Sequence, residues 1–357
     1  MKIIHCADIH LDSKMETHMP EKKAAKRREE LKQTFSNLIE FAKEEHIDGV
    51  IIAGDLFDSE RVLFNTAEFI LSKIASASDI AFFYLQGNHD SNHDVFEGLI
   101  VPPNLRMFTD EWKTFKLGDV AISGIEQTPN NASSLYGSLS LDQNDTNIVI
   151  MHGSVSGNPD FNNVAVKLLT NKSIDYLALG HYHSFSEPKK IDDRGIWCYS
   201  GCLEGRGFDE SGKKGFILID TNEITKPQFV PFSQRIINSI EVDVSSAEKP
   251  SEILNLVSEK TKGINEKDIV EIILVGRLSP ELSRDTVYME NELNSRFFFA
   301  RVKDHTSINL EPEDYMHDIS LKGEFTRLVM GSNEDQEDKS LILQAGLQAL
   351  RGEEINL

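Results

Sequence analysis

GVIIAGDLFD, residues 49–58, runs through five residues without a charge, breaks at Gly54 and then turns acidic at Asp55 and Asp58. A short run apolar on both faces and closed by glycine reads as a fully buried strand of a parallel sheet. The same pattern occurs on either side. KIIHCA at 2–7 ends at Asp8, and IAFFYLQ at 80–86 ends at Gly87. Between these runs, 21–46 and 66–76 read as helices. In the longer one, Leu31, Phe35, Leu38, Ile39 and Ala42 recur at helical spacing. The order β-α-β-α-β predicts a parallel sheet with helices on its faces. In such a sheet, ligands gather at the carboxyl ends of the strands.

Further strands are expected at 119–124, 147–151 and 175–179, followed by antiparallel finishing strands at 196–200, 215–220 and 228–232. Gly and Asp clusters separate them. Near residue 235 the texture changes. Strands at 240–244, 269–275 and 297–303 alternate with helices at 251–262 and 286–295, then an amphipathic helix spans 337–351. GSNEDQEDK (331–339) reads as a loop or a frayed helix start. Two domains are predicted: 1–235, an α/β sandwich flanked by helices, and 236–357, a smaller α+β cap. By default the last helix packs on its own domain. No internal repeat is visible.

The 357 residues are 39% hydrophobic and 27% charged, the make-up of a globular protein. The formal net charge of -21 is shared almost evenly across residue 235. Phosphate contacts need Lys and Arg, so this acidity counts softly against a nucleic-acid binder. Cys6, Cys198 and Cys202 form no zinc spacing and no even disulfide framework, which suggests reduced thiols and a cytoplasmic setting. Neither a signal peptide nor an apolar run long enough to span a membrane is visible.

Five polar segments each follow a predicted strand: Asp8-Ile9-His10, Gly54-Asp55-Leu56-Phe57-Asp58, Gly87-Asn88-His89-Asp90, Met151-His152-Gly153 and Gly180-His181-Tyr182-His183. Taken singly, each is an ordinary turn or a lone histidine. Taken together, they place five of the 11 histidines at strand ends. His5, His18, His46, His93, His305 and His317 read as structural. The donors are imidazoles, carboxylates and an amide, a mixture that suits manganese, iron or zinc. Seven ligands, Asp8, His10, Asp55, Asn88, His152, His181 and His183, are too many for one such ion. They suit two ions that share a carboxylate and clamp an in-line phosphoryl displacement.

The ordered set D-x-H, G-D-x-x-D, G-N-H-D, x-H-G and G-H-x-H resembles the calcineurin-like metallophosphoesterases over residues 1–205. The resemblance implies that Asp8, His10, Asp55 and His183 hold one metal. It implies that Asp55, Asn88, His152 and His181 hold the other, with Asp55 bridging. It also implies manganese as the usual ion and hydrolysis by a metal-bridged hydroxide. His89 would be the catalytic group that meets the phosphate and protonates the leaving oxygen. Asp58 would orient it, with a turn carboxylate as the rival reading.

The flanks bear on the substrate. HCADIHLDS, YSGCLEGRGFDESGKKGFILID (199–220) and FSQRIINSIEVDVS resemble the SbcD branch, DNA repair exonucleases that pair with an SMC-like ATPase. Within that branch, the tail segments 321–325 and 349–352 resemble the YhaO-type subgroup. This implies DNA as substrate, an SbcC-like coiled-coil ATPase as partner, and leaves a homodimer open. The basic cluster Lys22, Lys23, Lys26, Arg27 and Arg28 is a candidate DNA contact, set against an ordinary solvated helix face. Arg206 is a second candidate phosphate contact, with Lys213 and Lys214 nearby in sequence. Two rival functions stand beside the nuclease: an enzyme acting on small nucleotides or other phosphoesters, and a non-catalytic metal-binding scaffold for an ATPase.

Overall fold

A computed structural model describes residues 1–15, 19–58, 62–90, 96–279, 282–308 and 318–350. His18, His93 and His317 lie outside these residues. The chain divides into two compact units, Met1–Ile237 and Asn238–Leu357.

The first unit opens with β1 (Lys2–Cys6), α1 (Glu21–Glu44), β2 (Gly49–Ala53), α2 (Phe64–Ala75), β3 (Ala81–Leu85) and β4 (Leu105–Met107). It continues with β5 (Lys113–Leu117), β6 (Val120–Gly124), the short α3 (Leu135–Ser138) and β7 (Thr146–His152). A two-strand flap of β8 (Ser154–Val155) and β9 (Asn163–Val164) follows, then β10 (Tyr176–Gly180) and β11 (Lys189–Lys190). The unit is completed by β12 (Ile196–Tyr199), β13 (Gly215–Asp220) and β14 (Gln228–Pro231). The strands form two six-stranded sheets, β14-β13-β1-β2-β3-β4 and β11-β12-β10-β7-β6-β5.

β1, β2, β3 and β4 run parallel, as do β6, β7, β10 and β12. Because side chains alternate across a strand, each sheet presents two apolar faces. Ile3, Ile51 and Phe83 of the first sheet meet Ile148, Ile150, Tyr176 and Ala178 of the second. On the outer face of the first sheet, Ile4, Ile52, Phe82 and Tyr84 pack under Leu31, Phe35, Leu38 and Ile39 of α1 and Ile70 and Ile74 of α2. Val149, Met151, Leu177 and Leu179 do the same beneath Leu135, Tyr136 and Leu169. Each such side chain contributes about 1.5–3 kcal/mol by leaving water. The result is a four-layer sandwich whose parallel strands end together.

One expectation is corrected. The strand at 196–199 is not an antiparallel finishing strand: β12 pairs parallel with β10 and antiparallel only with the two-residue β11. Residues 181–195 are long enough to return the chain to the start of β10, as a parallel crossover requires. Only β13 and β14 close the first sheet in antiparallel fashion. Strands β4 and β5 had no sequence signal. β4 is three residues long, and β5 (KTFKL) is a largely exposed edge.

In the second unit, β15 (Ile237–Asp243), β16 (Ile269–Val275) and β18 (Phe299–Asp304) form a sheet in that order. A short pair, β17 (Arg277–Leu278) and β19 (Ser307–Ile308), lies apart from it. The helices α4 (Pro250–Lys260) and α5 (Thr286–Arg296) supply Ile253, Val257, Met289 and Leu293 to a core with Val242, Ile272 and Val302. Two further helices follow, α6 (Leu321–Met330) and α7 (Gln336–Ala349). α6 has no strong sequence signal, since Gly323 and Thr326 lower its helix propensity. Among the described residues, no helix is long and apolar enough to cross a membrane.

Candidate metal centre

The carboxyl ends of β1, β2, β3, β7 and β10 carry all seven predicted ligand residues, and the fold gathers them at one edge of the sandwich. Two glycines permit this. A Cβ on Gly180 would lie 1.8 Å from the Ala53 carbonyl oxygen, so only glycine lets β10 approach β2 here. Gly54 has φ +93, and a Cβ there would lie 2.0 Å from His152 Nδ1. Four ligand candidates themselves have left-handed backbone: Asp8 (φ 51), His10 (φ 49), Asp55 (φ 51) and His181 (φ 98). Side chains rarely adopt this region, at a cost of about 1–3 kcal/mol each, and such strain clusters at functional sites. Backbone bonds hold the strained turns: Asp8 N donates to Gly54 O at 3.0 Å, and His10 N donates to Asp55 O at 3.0 Å.

The donors form two groups. Asp8, His10 and His183 offer ligand atoms within 4.8 Å of one another, as do Asp55, His152 and His181. Asp55 joins the groups. Its Oδ2 lies 3.3 Å from His152 Nε2 and 3.8 Å from His10 Nε2, and its Oδ1 accepts from His89 N at 3.0 Å. Asn88 Oδ1 is 3.0 Å from both His152 Nε2 and His181 Nδ1. Asp8 accepts from His181 N through both oxygens, at 2.9 and 3.1 Å.

This arrangement fits a pair of cations. His152 Nδ1 faces the Ala53 carbonyl at 2.9 Å and so carries a proton, which leaves Nε2 aimed at the Asn88 and Asp55 oxygens, where a proton or a metal ion would sit between them. His10 Nε2 and His183 Nε2 face each other at 3.2 Å, while their Nδ1 atoms stand 3.1 Å from Asp58 and 2.7 Å from Glu210. Converging lone pairs around buried carboxylates call for positive charge. The titration behaviour agrees. Burial raises Asp8 to about 6. Burial opposes charging His152, but Asp55 outweighs it and raises the ring to about 9. Burial also opposes ionising Asp55, yet His152 and His10 hold it below the ordinary carboxylate range.

His89 flanks the cluster, its side chain 46% exposed, with Nδ1 3.7 Å from Asp58 Oδ1. Asp58 is shared: the same oxygen lies 3.1 Å from His10 Nδ1 and 3.0 Å from Arg206 Nη1. Burial works against its ionisation, but the contacts to His10, Ser13 and Arg206 hold it at about 2. Beside Asn88 and His152 opens a cleft of about 290 Å³, lined also by Gln86, Glu126, Thr128 and Phe161.

The predicted DNA contacts separate. Lys22 and Lys26 are exposed, and Lys23 and Arg28 are partly so. Arg28 bonds Glu21 and the Lys14 carbonyl. Arg27 is corrected: it is 1% exposed and its guanidinium bonds Glu30, Glu204 and the Gly205 carbonyl. It falls on the buried stripe of α1 between Ala24 and Leu31, so its charge serves the interior. Arg206 is partly exposed, and its guanidinium pairs with Glu210 and Asp58. Lys214 is buried and donates to the His183 carbonyl at 2.8 Å, while Lys213 is exposed.

Two residues in the cluster had no assigned role from sequence. Asp90 is buried beneath the turns, accepting from Leu56 N and Phe57 N at 2.9 Å. Burial and Asp55 raise it to about 7. Its place in Gly-Asn-His-Asp was the available signal. Glu210, 27 residues beyond His183, carried none.

Residues 1–185 match the family described as Calcineurin-like phosphoesterase. A DNA double-strand break repair protein Mre11 from Methanosarcina acetivorans is 28% identical over 338 residues, covering 88% of this chain and 52% of that protein. This chain therefore spans about half that relative's length. The uncharacterized metallophosphoesterase YhaO of Bacillus subtilis is 25% identical over 77% of this chain and 72% of its own. A solved structure from Thermus thermophilus is similar over 65% of this chain and 98% of its own, at 11% identity and a TM-score of 0.44. With the family match spanning more than half of the sequence, this chain belongs to the calcineurin-like phosphoesterases.

Proposed function

We propose that this protein is a dinuclear-metal phosphodiesterase that hydrolyses DNA, a repair nuclease of the SbcD type. The observation that carries the phosphodiesterase reading is the paired donor groups sharing Asp55, with His89 exposed at their edge. Asp8, His10, Asp55 and His183 would hold one ion, and Asp55, Asn88, His152 and His181 the other, manganese being the family's usual metal. When bound, the two ions supply Lewis acidity toward phosphoryl oxygens and acidify a water near neutral pH. The protein's own part is placement. Asp55 is locked by the His89 backbone N–H, Asp8 by that of His181, and the Ala53 carbonyl sets the His152 tautomer. His89 meets the phosphate and passes a proton to the leaving oxygen, with Asp58 nearby to orient it.

DNA as the substrate draws support from the Mre11-named relative, whose similarity runs over 88% of the chain. Lys22, Lys23 and Lys26 remain the candidate backbone contacts. The cleft beside Asn88 holds an aromatic ring, amides and the Glu126 carboxyl, with no Lys or Arg among its described lining residues, which suits the base of a nucleotide better than its phosphate. A coiled-coil ATPase would be the partner. Three buried free thiols, Cys6, Cys198 and Cys202, favour the cytoplasm. The net charge of -21 favours the rival small-phosphoester reading. Turnover of single- and double-stranded DNA, of nucleotides and of bis-p-nitrophenyl phosphate, all with manganese, separates the two. Hydrolysis of the small esters alone would sink the nuclease.

A further inference from the structure

His183 is held through both its ring and its carbonyl by one segment, residues 202–214. Its ring Nδ1 lies 2.7 Å from Glu210 Oε1. Its carbonyl accepts from Lys214 Nζ at 2.8 Å and from Cys202 N at 3.3 Å. Both Glu210 and Lys214 are almost fully buried. The Glu210 carboxylate is in turn saturated. Oε2 accepts from Arg206 N at 2.7 Å, and Oε1 accepts from Arg206 Nη2 at 2.7 Å and Nε at 3.1 Å. The remaining arm of that guanidinium, Nη1, reaches Asp58 Oδ1 at 3.0 Å, the oxygen that faces His10 Nδ1 at 3.1 Å.

We propose that Glu210 and Arg206 are positioning residues: together with Asp58 they form one buried chain that orients both His183 and His10, and Arg206 is not a substrate contact. A carboxylate at Nδ1 fixes the tautomer that leaves Nε2 free to ligate, and sharpens the ring's orientation. Here both imidazoles of one candidate half-site face opposite ends of the same carboxylate–guanidinium–carboxylate unit, His183 through a hydrogen bond to Glu210 and His10 through a 3.1 Å contact with Asp58. Their Nε2 atoms are brought to 3.2 Å of each other. The same chain ends beside His89, so the half-site and the proposed acid share one support. Arg206 has no uncommitted face to offer a phosphate: its side chain is 17% exposed and every guanidinium nitrogen has a carboxylate partner.

The proposal rests on the two-metal reading, and its test separates the two. Manganese binding to the full chain is measured by calorimetry and by electron paramagnetic resonance, for the wild type, Glu210→Gln and Arg206→Met, with Arg206→Lys as a milder second variant. The wild type should bind two ions. Glu210→Gln and Arg206→Met should each weaken one of the two sites about 10- to 100-fold, leaving the other intact. Excess manganese should restore most of the lost turnover of bis-p-nitrophenyl phosphate. DNA affinity of Arg206→Met should keep the wild-type salt dependence, since no phosphate contact is lost. A wild type that binds no manganese would overturn the metal reading itself. Normal two-ion binding in Glu210→Gln and Arg206→Met would overturn the positioning role. So would a salt slope reduced by about one in Arg206→Met, which marks a phosphate contact. Equal loss of both ions together with a lowered melting temperature would reduce the chain to a purely structural support.

Discussion

His5 lies in β1 with its ring wholly buried between the two sheets, Nδ1 2.9 Å from the hydroxyl of Tyr176. That hydroxyl is in turn 3.0 Å from Cys198 Sγ. Burial lowers the ring from 6.5 to about 3. The fold therefore accepts neutral His5 and rejects the cation. Stability from this source is complete above pH 6.5. It is lost as the pH falls, because the unfolded chain binds a proton that the folded chain refuses. Linkage between 6.5 and about 3 gives a loss of about 3 kcal/mol at pH 4.5, approached at about 1.4 kcal/mol per pH unit. A phenylalanine at this position cannot titrate but gives up the bond to Tyr176, worth about 1 kcal/mol. His5→Phe should thus be the less stable protein at about pH 7.5 and the more stable one at about pH 4.5. Urea unfolding in chelator, followed by tryptophan emission, provides the comparison. Both tryptophans, Trp112 and Trp197, belong to the first unit, so the signal reports that unit. A stability difference that stays constant across that pH range would refute the argument.

Other outcomes follow from the same geometry. Arg27→Ala leaves Glu204 in the interior without its cationic partner, while Arg235 still pairs Glu30; it should cost about 3–5 kcal/mol in denaturant titrations while leaving the salt dependence of DNA binding untouched. Gly180→Ala drives a methyl group into the Ala53 carbonyl and should cost about 3 kcal/mol or more, with manganese stoichiometry by elemental analysis falling below that of the wild type. His89→Asn should lower kcat by about 10²- to 10⁴-fold at full metal occupancy; unchanged turnover would remove His89 from the chemistry. Asp55→Asn should impair both metal sites, whereas Asp8→Asn should impair one, as calorimetric titration would register.

Much of the candidate centre could be read from sequence because its candidate ligands follow buried strands. An apolar run such as 49–53 announces its own end, and the polar residue after that end has a known destination in a parallel sheet. Asp8, Asp55, Asn88, His152 and His181 were all legible on those terms. Glu210 was not, because it sits on a short 3-10 turn at Phe208–Glu210 with no periodicity to place it. Arg27 and Arg206 were legible as cations but not as partners. Their sequence neighbours say nothing of Glu204, which is brought to Arg27 from 177 residues away, or of Asp58, which reaches Arg206 across the site. The pairing of β12 with β10 was hidden for a similar reason. Strand direction is set by how far the chain travels between strands, and the apolar pattern at 196–199 does not record it.

The left-handed backbone at Asp8, His10, Asp55 and His181 has a consequence for how this protein would age under relaxed selection. Each of these residues sits where glycine would be at ease and where asparagine is tolerated better than histidine. A replacement by glycine would discard a ligand and relieve local strain at the same time. Substitutions that erase the centre would therefore carry a stability bonus where the backbone permits them, opposing the usual tendency of random change to weaken a fold. In a chain freed from its chemistry, these turns would drift first, towards glycine and asparagine, while the sandwich beneath them persisted.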